Sequence, residues 1–145
     1  MKTKILVIHG PNLHLLGFRE KNVYGTKTLS EINAEIKKRA PAKGISLRIF
    51  QSNSEGEIID LLTKHAPWCD CIVINPAAYT HYSYAIRDAL AAFDKPVVEV
   101  HLSDVSKREA FRKISVIKDI RAGLFCGEGL RSYLKAIELC LKLKK

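Results

Sequence analysis

The chain lacks any run of about 18 apolar residues, so nothing in its 145 residues reads as a transmembrane span. Cysteine is sparse. Cys69 and Cys71 are spaced Cys-x-Cys, Cys126 lies in an apolar run and Cys140 falls on a helical pattern. A zinc ribbon wants two tight Cys-x-x-Cys pairs, so no metal is expected and all four are predicted to be buried or semi-buried thiols. Neither Gly-x-x-x-x-Gly-Lys-Ser/Thr nor Gly-x-Gly-x-x-Gly follows the first strand-like segment, which argues against a phosphate-cradling loop and its nucleotide cofactors. Internal repeats, low-complexity tracts and linkers are absent. Met1-Lys2-Thr3-Lys4 runs straight into a strand-like segment without a signal-peptide cleavage pattern, so a cytoplasmic location is expected.

What is present suits one domain spanning 1–145. Apolar residues make up 47% of the chain, enough for a substantial core without disulfide or metal staples. The formal charge of +9 raises nucleic acid as a partner. However, the densest basic clusters, Lys37-Lys38-Arg39 and Lys142, Lys144, Lys145, fall on or after helical patterns, where a solvated face is expected. Tyr79, Tyr82 and Tyr84 cluster without basic neighbours other than His81 and Arg87. Neither nucleic acid nor membrane is therefore an expected partner, and a basic field equally suits a small anionic substrate.

Short apolar runs alternate five times with segments of helical period. The predicted strands are Ile5–His9, Ile45–Phe50, Cys71–Asn75, Val97–Leu102 and Ala122–Cys126. Thr28 with Glu31, and Ser54 with Glu57, read as capping boxes opening the first two helices. A third helix is expected from about Ser83 to Phe93, a shorter one capped by Ser106 and Glu109, and a last one lined by Leu130, Leu134, Ile137 and Leu141. This alternation predicts an α/β, flavodoxin-like three-layer sandwich with a five-stranded parallel sheet in the order 2-1-3-4-5. Ligands of such sheets bind beyond the carboxyl ends of the strands. A receiver-type module of the same fold would need an acidic phosphoacceptor cluster, and none is visible.

The unusual residues gather at those ends. After the first strand comes a long loop, His9-Gly10-Pro11-Asn12-Leu13-His14-Leu15-Leu16-Gly17, followed by Arg19, Tyr24 and Gly25; its leucines predict an ordered active-site loop. Asn75 and His81 follow the third strand. In the fourth strand, Val97-Val98-Glu99-Val100-His101-Leu102-Ser103, apolar character predicts burial, yet Glu99 and His101 alternate and share one face. Two buried ionisable groups are costly unless paired. A carboxylate beside an imidazole fixes its tautomer and favours its protonated form, so His101 is expected to be a general acid oriented by Glu99.

In their order along the chain these segments resemble the type II 3-dehydroquinate dehydratases. The resemblance rests on Gly-Pro-Asn-Leu-x-Leu-Leu-Gly at 10–17, Arg19-Glu20, Tyr24-Gly25, Gln51-Ser52-Asn53-x-Glu55-Gly56 and Asn75-Pro76-x-Ala78-Tyr79-Thr80-His81. It continues in Arg87-Asp88-Ala89, in the fourth strand, and in Arg108-Glu109-x-Phe111-Arg112. Departures include His14 for a common Asn, Lys21 for Pro, Ala77 for Gly, Asp104 for Asn and Ala110 for Pro. The resemblance implies cofactor-free trans-dehydration of 3-dehydroquinate through an enolate. Tyr24 is then the base, with Arg19 favouring its phenolate, Asn12 holds the enolate oxygen and His101 protonates the leaving hydroxyl. It implies that Asn75, His81 and Arg112 hold substrate hydroxyls, while the NH groups of Leu102 and Ser103 and the Ser103 hydroxyl hold its carboxylate. It further implies a homododecamer built of trimers, in which Asp88 approaches a neighbouring subunit's site.

Overall fold

A computed structural model describes residues 1–144; Lys145, counted above in the basic tail, lies outside them. Five parallel strands, β1 (Thr3–His9), β2 (Ile45–Gln51), β3 (Cys71–Asn75), β4 (Val97–His101) and β5 (Gly123–Cys126), form one sheet in the order β2-β1-β3-β4-β5. The α-helices are α1 (Lys21–Tyr24), α2 (Leu29–Arg39), α3 (Glu55–His65), α4 (Tyr84–Ala92) and α5 (Leu130–Leu143). The strand order is the one predicted from the alternation. Among the described residues no helix is long and apolar enough to cross a membrane.

Side-chain alternation divides the core into two layers. Ile5, Val7 and Val73 pack with Ile32 and Ile36 of α2 and Tyr133 and Ala136 of α5 on one face. Leu6, Ile8, Ile72 and Ile74 pack with Ile58 and Leu62 of α3 and Ile86 and Leu90 of α4 on the other. Each fully buried aliphatic side chain contributes about 1.5–3 kcal/mol of transfer free energy, so the central strands anchor the sheet. His9 and Asn75 end β1 and β3 in register with one another and share the α2/α5 face. Glu99 and His101 turn toward the opposite side of β4 from Val98 and Val100.

Local signals were read unevenly. Thr28 and Glu31 form both bonds of a capping box at α2. At α3 only half of the expected box is present: Ser54 accepts from the Glu57 NH. The helix expected after Ser106 and Glu109 is replaced by two 3-10 turns, Val105–Lys107 and Ala110–Lys113. There Asp104 is the cap, and its carboxylate accepts from the Ser106 NH and hydroxyl, so Ser106 is spent as a donor rather than as a cap. Arg112 accordingly sits on a 3-10 turn.

The cysteine expectation is corrected as well. Cys69 and Cys126 carry free thiols, but Cys71 on β3 and Cys140 on α5 are joined as a disulfide, their Cα atoms 5.8 Å apart. They are 69 residues apart in sequence, and only the packing of α5 across the sheet brings them together.

Candidate active site

The loop of residues 10–27 leaves β1 through a constriction. Gly10 donates its NH to the Asn75 carbonyl at 2.7 Å, and a Cβ at Gly10 would lie 2.6 Å from the Pro76 carbonyl oxygen. Only glycine permits this approach of the β1 and β3 exits. Beyond it Asn12 takes a left-handed conformation (φ 67°), and its NH donates to Asn53 Oδ1 at 3.0 Å. Gln51 and Tyr79 hold Asn53 in turn, through bonds of 3.1 and 2.8 Å. The loop is tied down by buried Leu13 and Leu16, whereas Leu15 is exposed. Leu13–Leu15 form a 3-10 turn, and further on α1 delivers Tyr24 back over the sheet.

An open cleft with about 110 Å³ of room lies at the carboxyl ends of the strands, as the sheet topology predicts. Asn12, Arg19, Tyr24, Asn75, His81, His101, Leu102, Ser103 and Arg112 all line it. Glu99 stands behind His101. Asp88 does not reach the cleft of its own chain: it is exposed on α4 beside Arg87, 3.4 Å away.

Tyr24 has two cationic neighbours. Arg19 stacks over its ring, 4.8 Å from the centroid, while Arg108 Nη1 donates to its hydroxyl at 2.6 Å. The sequence reading named Arg19 as the phenol's partner and missed Arg108. Its signal was the Arg108-Glu109-x-Phe111-Arg112 segment, from which only Arg112 was taken. Arg19 Nε is buried without a hydrogen-bond partner, a donor directed at no protein group.

Glu99 and His101 pair as expected, His101 Nε2 donating to Glu99 Oε2 at 2.6 Å. The carboxylate is saturated by groups the sequence reading passed over. Thr80 donates to Oε2 at 2.6 Å, while Ser115 and Arg121 donate to Oε1 at 2.8 and 2.6 Å. Burial opposes the charge on Glu99, but the hydrogen bond and charge of His101, with Thr80 and Arg121, hold its carboxyl down at about 2. The Glu99 bond leaves His101 Nδ1 as the ring nitrogen available to the cleft. His81 Nδ1 donates to the Ile114 carbonyl at 2.7 Å. Burial outweighs that bond and, with the charges of His101 and Arg112, lowers the His81 pKa. A neutral His81 therefore offers Nε2 as an acceptor for a hydroxyl.

This is a cleft of a phenol, guanidinium groups and an imidazole backed by a carboxylate, and among the described residues no lysine lines it. Such a set equips an acid–base enzyme for a small oxygen-rich anion, without a Schiff base. The family model for dehydroquinase class II matches residues 3–141, and the chain belongs to that family. A 3-dehydroquinate dehydratase of Pelotomaculum thermopropionicum is 51% identical over 140 residues, covering 97% of each chain. One from Roseiflexus castenholzii is 54% identical over 138 residues, covering 95% of this chain and 88% of that one. The crystal structure of the type II dehydroquinase from Butyrivibrio crossotus superposes with a TM-score of 0.93 at 48% identity, covering 96% of this chain and 97% of that one.

Proposed function

We propose that this chain is a type II 3-dehydroquinate dehydratase of the shikimate pathway, acting as one catalytic domain over residues 1–145. One observation carries the assignment of roles: Tyr24, its two guanidinium neighbours and His101 line the same cleft. Arg108 donates to the Tyr24 hydroxyl oxygen and Arg19 stacks over its ring, and Tyr24, acting as the base, takes the proton α to the substrate ketone. The electron pair moves onto the carbonyl oxygen, and Asn12 with the free Nε–H of Arg19 supports the resulting enolate. Collapse of the enolate expels the β-hydroxyl, which leaves as water with a proton from Nδ1 of His101. Glu99 orients the imidazole through Nε2.

Asn75, His81 and Arg112 hold the ring hydroxyls, and the NH groups of Leu102 and Ser103 with the Ser103 hydroxyl hold the carboxylate. The assembly is a cytoplasmic homododecamer of trimers in which Asp88 approaches a neighbour's cleft. In support, Asp88 is exposed and outside its own cleft, and Tyr84, which opens the same helix, and Tyr82 just before it stand exposed. Light scattering reads that assembly. The activity is tested by adding purified protein to 3-dehydroquinate: near-ultraviolet absorbance should rise as the conjugated enone forms. A flat trace at micromolar enzyme would refute the assignment.

A further inference from the structure

Behind the cleft, on the α2/α5 face, a buried polar chain runs to Asn75 through His9, Tyr133 and Asn33, which the proposed mechanism does not use. His9 is wholly buried; its Nε2 lies 2.8 Å from Asn33 Oδ1 on α2, and its Nδ1 lies 2.9 Å from the Tyr133 hydroxyl on α5. Tyr133 is equally buried, and its oxygen lies 3.0 Å from Asn75 Nδ2. Asn75 Oδ1 accepts from the Ala77 NH at 3.1 Å.

The direction of every bond in this chain can be deduced. The Ala77 NH can only donate, so the Asn75 oxygen must face it and the Asn75 NH2 must face Tyr133. Having accepted from Asn75, the Tyr133 hydroxyl has one proton to give, and His9 Nδ1 is its remaining partner. That nitrogen must therefore be bare, and the imidazole proton sits on Nε2, where Asn33 Oδ1 accepts it. Burial lowers the His9 pKa to about 4 against the pull of Asn33, in keeping with a neutral ring. One proton arrangement satisfies all five groups.

We infer that His9, Tyr133 and Asn33 are positioning residues that lock the Asn75 amide so that its second N–H points into the cleft as a donor. This inference rests on the proposed contact between Asn75 and substrate. The Asn75 carbonyl is held by Gly10 and its side-chain oxygen by Ala77, so the second N–H is its one uncommitted group, and Asn75 lines the cleft. A locked donor demands an acceptor oxygen at that point of the ligand and rejects an analogue carrying a hydrogen or a donor there. Without the chain only the Ala77 NH holds the amide, so its second N–H loses its fixed direction and the site would lose selectivity while keeping its catalytic groups.

A double-mutant cycle tests the inference, with kcat/KM for 3-dehydroquinate measured for the intact protein well below each variant's unfolding midpoint. Tyr133→Phe removes only the central oxygen, and Asn33→Ala, at a half-buried helix position, releases the His9 tautomer without touching the core. Each is expected to lower kcat/KM about tenfold, equivalent to about 1.4 kcal/mol. Neither should lower it further when added to Asn75→Ala, because both act through that amide. Losses that multiply with that of Asn75→Ala, or relay variants at wild-type kcat/KM beside an impaired Asn75→Ala, would overturn the relay. If Asn75→Ala itself kept wild-type kcat/KM, the substrate contact on which the relay rests would be wrong. Should Tyr133→Phe fail to fold, the Asn33→Ala cycle decides alone.

Discussion

Replacing Arg121 by methionine probes the electrostatic floor of the site without touching the cleft. Its guanidinium gives Glu99 one of four short hydrogen bonds and brings a fixed positive charge to a carboxylate that is 1% exposed. Stripping a buried charge of all compensation costs about 3–5 kcal/mol. Here His101, Thr80 and Ser115 remain, so the cost should be nearer that of one charge-assisted bond, about 2–3 kcal/mol. For a chain of this size that lowers the unfolding midpoint by about 6–10 °C at pH 7. The pH dependence gives a sharper signature. The folded Glu99 carboxyl is depressed from its ordinary 4.5 to about 2, so its stabilisation is complete above 4.5 and disappears as pH falls toward 2. In full it amounts to about 3 kcal/mol. The gap between wild type and Arg121→Met, followed by thermal circular dichroism, should therefore be widest at neutral pH and close between pH 4.5 and 2. A variant within 1 °C of wild type at pH 7, or a gap that ignores pH, would refute the charge balance described for Glu99.

Arg108→Met should lower kcat about 10- to 100-fold, the kinetic equivalent of one charge-assisted bond to the Tyr24 oxygen; steady-state kinetics check this, and a loss under threefold would leave Arg19 as the only guanidinium that matters to Tyr24. Since no lysine among the described residues lines the cleft, borohydride added during turnover should leave both activity and intact mass unchanged. Gly10→Ala would force a methyl group to 2.6 Å from the Pro76 carbonyl, so it should cost about 1–3 kcal/mol in denaturant unfolding and lower kcat by shifting Asn12 and Asn75 together.

Much of the fold was legible because its signals are local and repeated. Apolar runs too short for helices, separated by capped helical segments, allow few topologies, and the observed strand order follows from right-handed crossovers. The Glu99–His101 pair was legible because side chains alternate along a strand and a buried carboxylate needs a partner. The four-bond shell around Glu99 was not, because Thr80 comes from the turn after β3 and Ser115 and Arg121 from the connection before β5, each ordinary by itself. Arg108 was hidden for the same reason, being 84 residues from the hydroxyl it contacts. The expected helix after Ser106 fails on local chemistry: Asp104, two residues before the serine, captures its NH and hydroxyl. Cys71 and Cys140 carried no pairing signal, since their proximity depends on how α5 crosses the sheet. His9, unassignable from sequence, became interpretable only when its two ring partners, on two different helices, were seen.

The central claim is that Tyr24 takes the proton while His101 gives one across the same cleft. The most direct measurement is the near-ultraviolet turnover of 3-dehydroquinate by Tyr24→Phe, beside the unfolding midpoint of the same preparation. Loss of a positioned base should lower kcat by about 10²–10⁴-fold while the midpoint stays near that of the wild type. A folded Tyr24→Phe enzyme with kcat within tenfold of wild type would contradict the account.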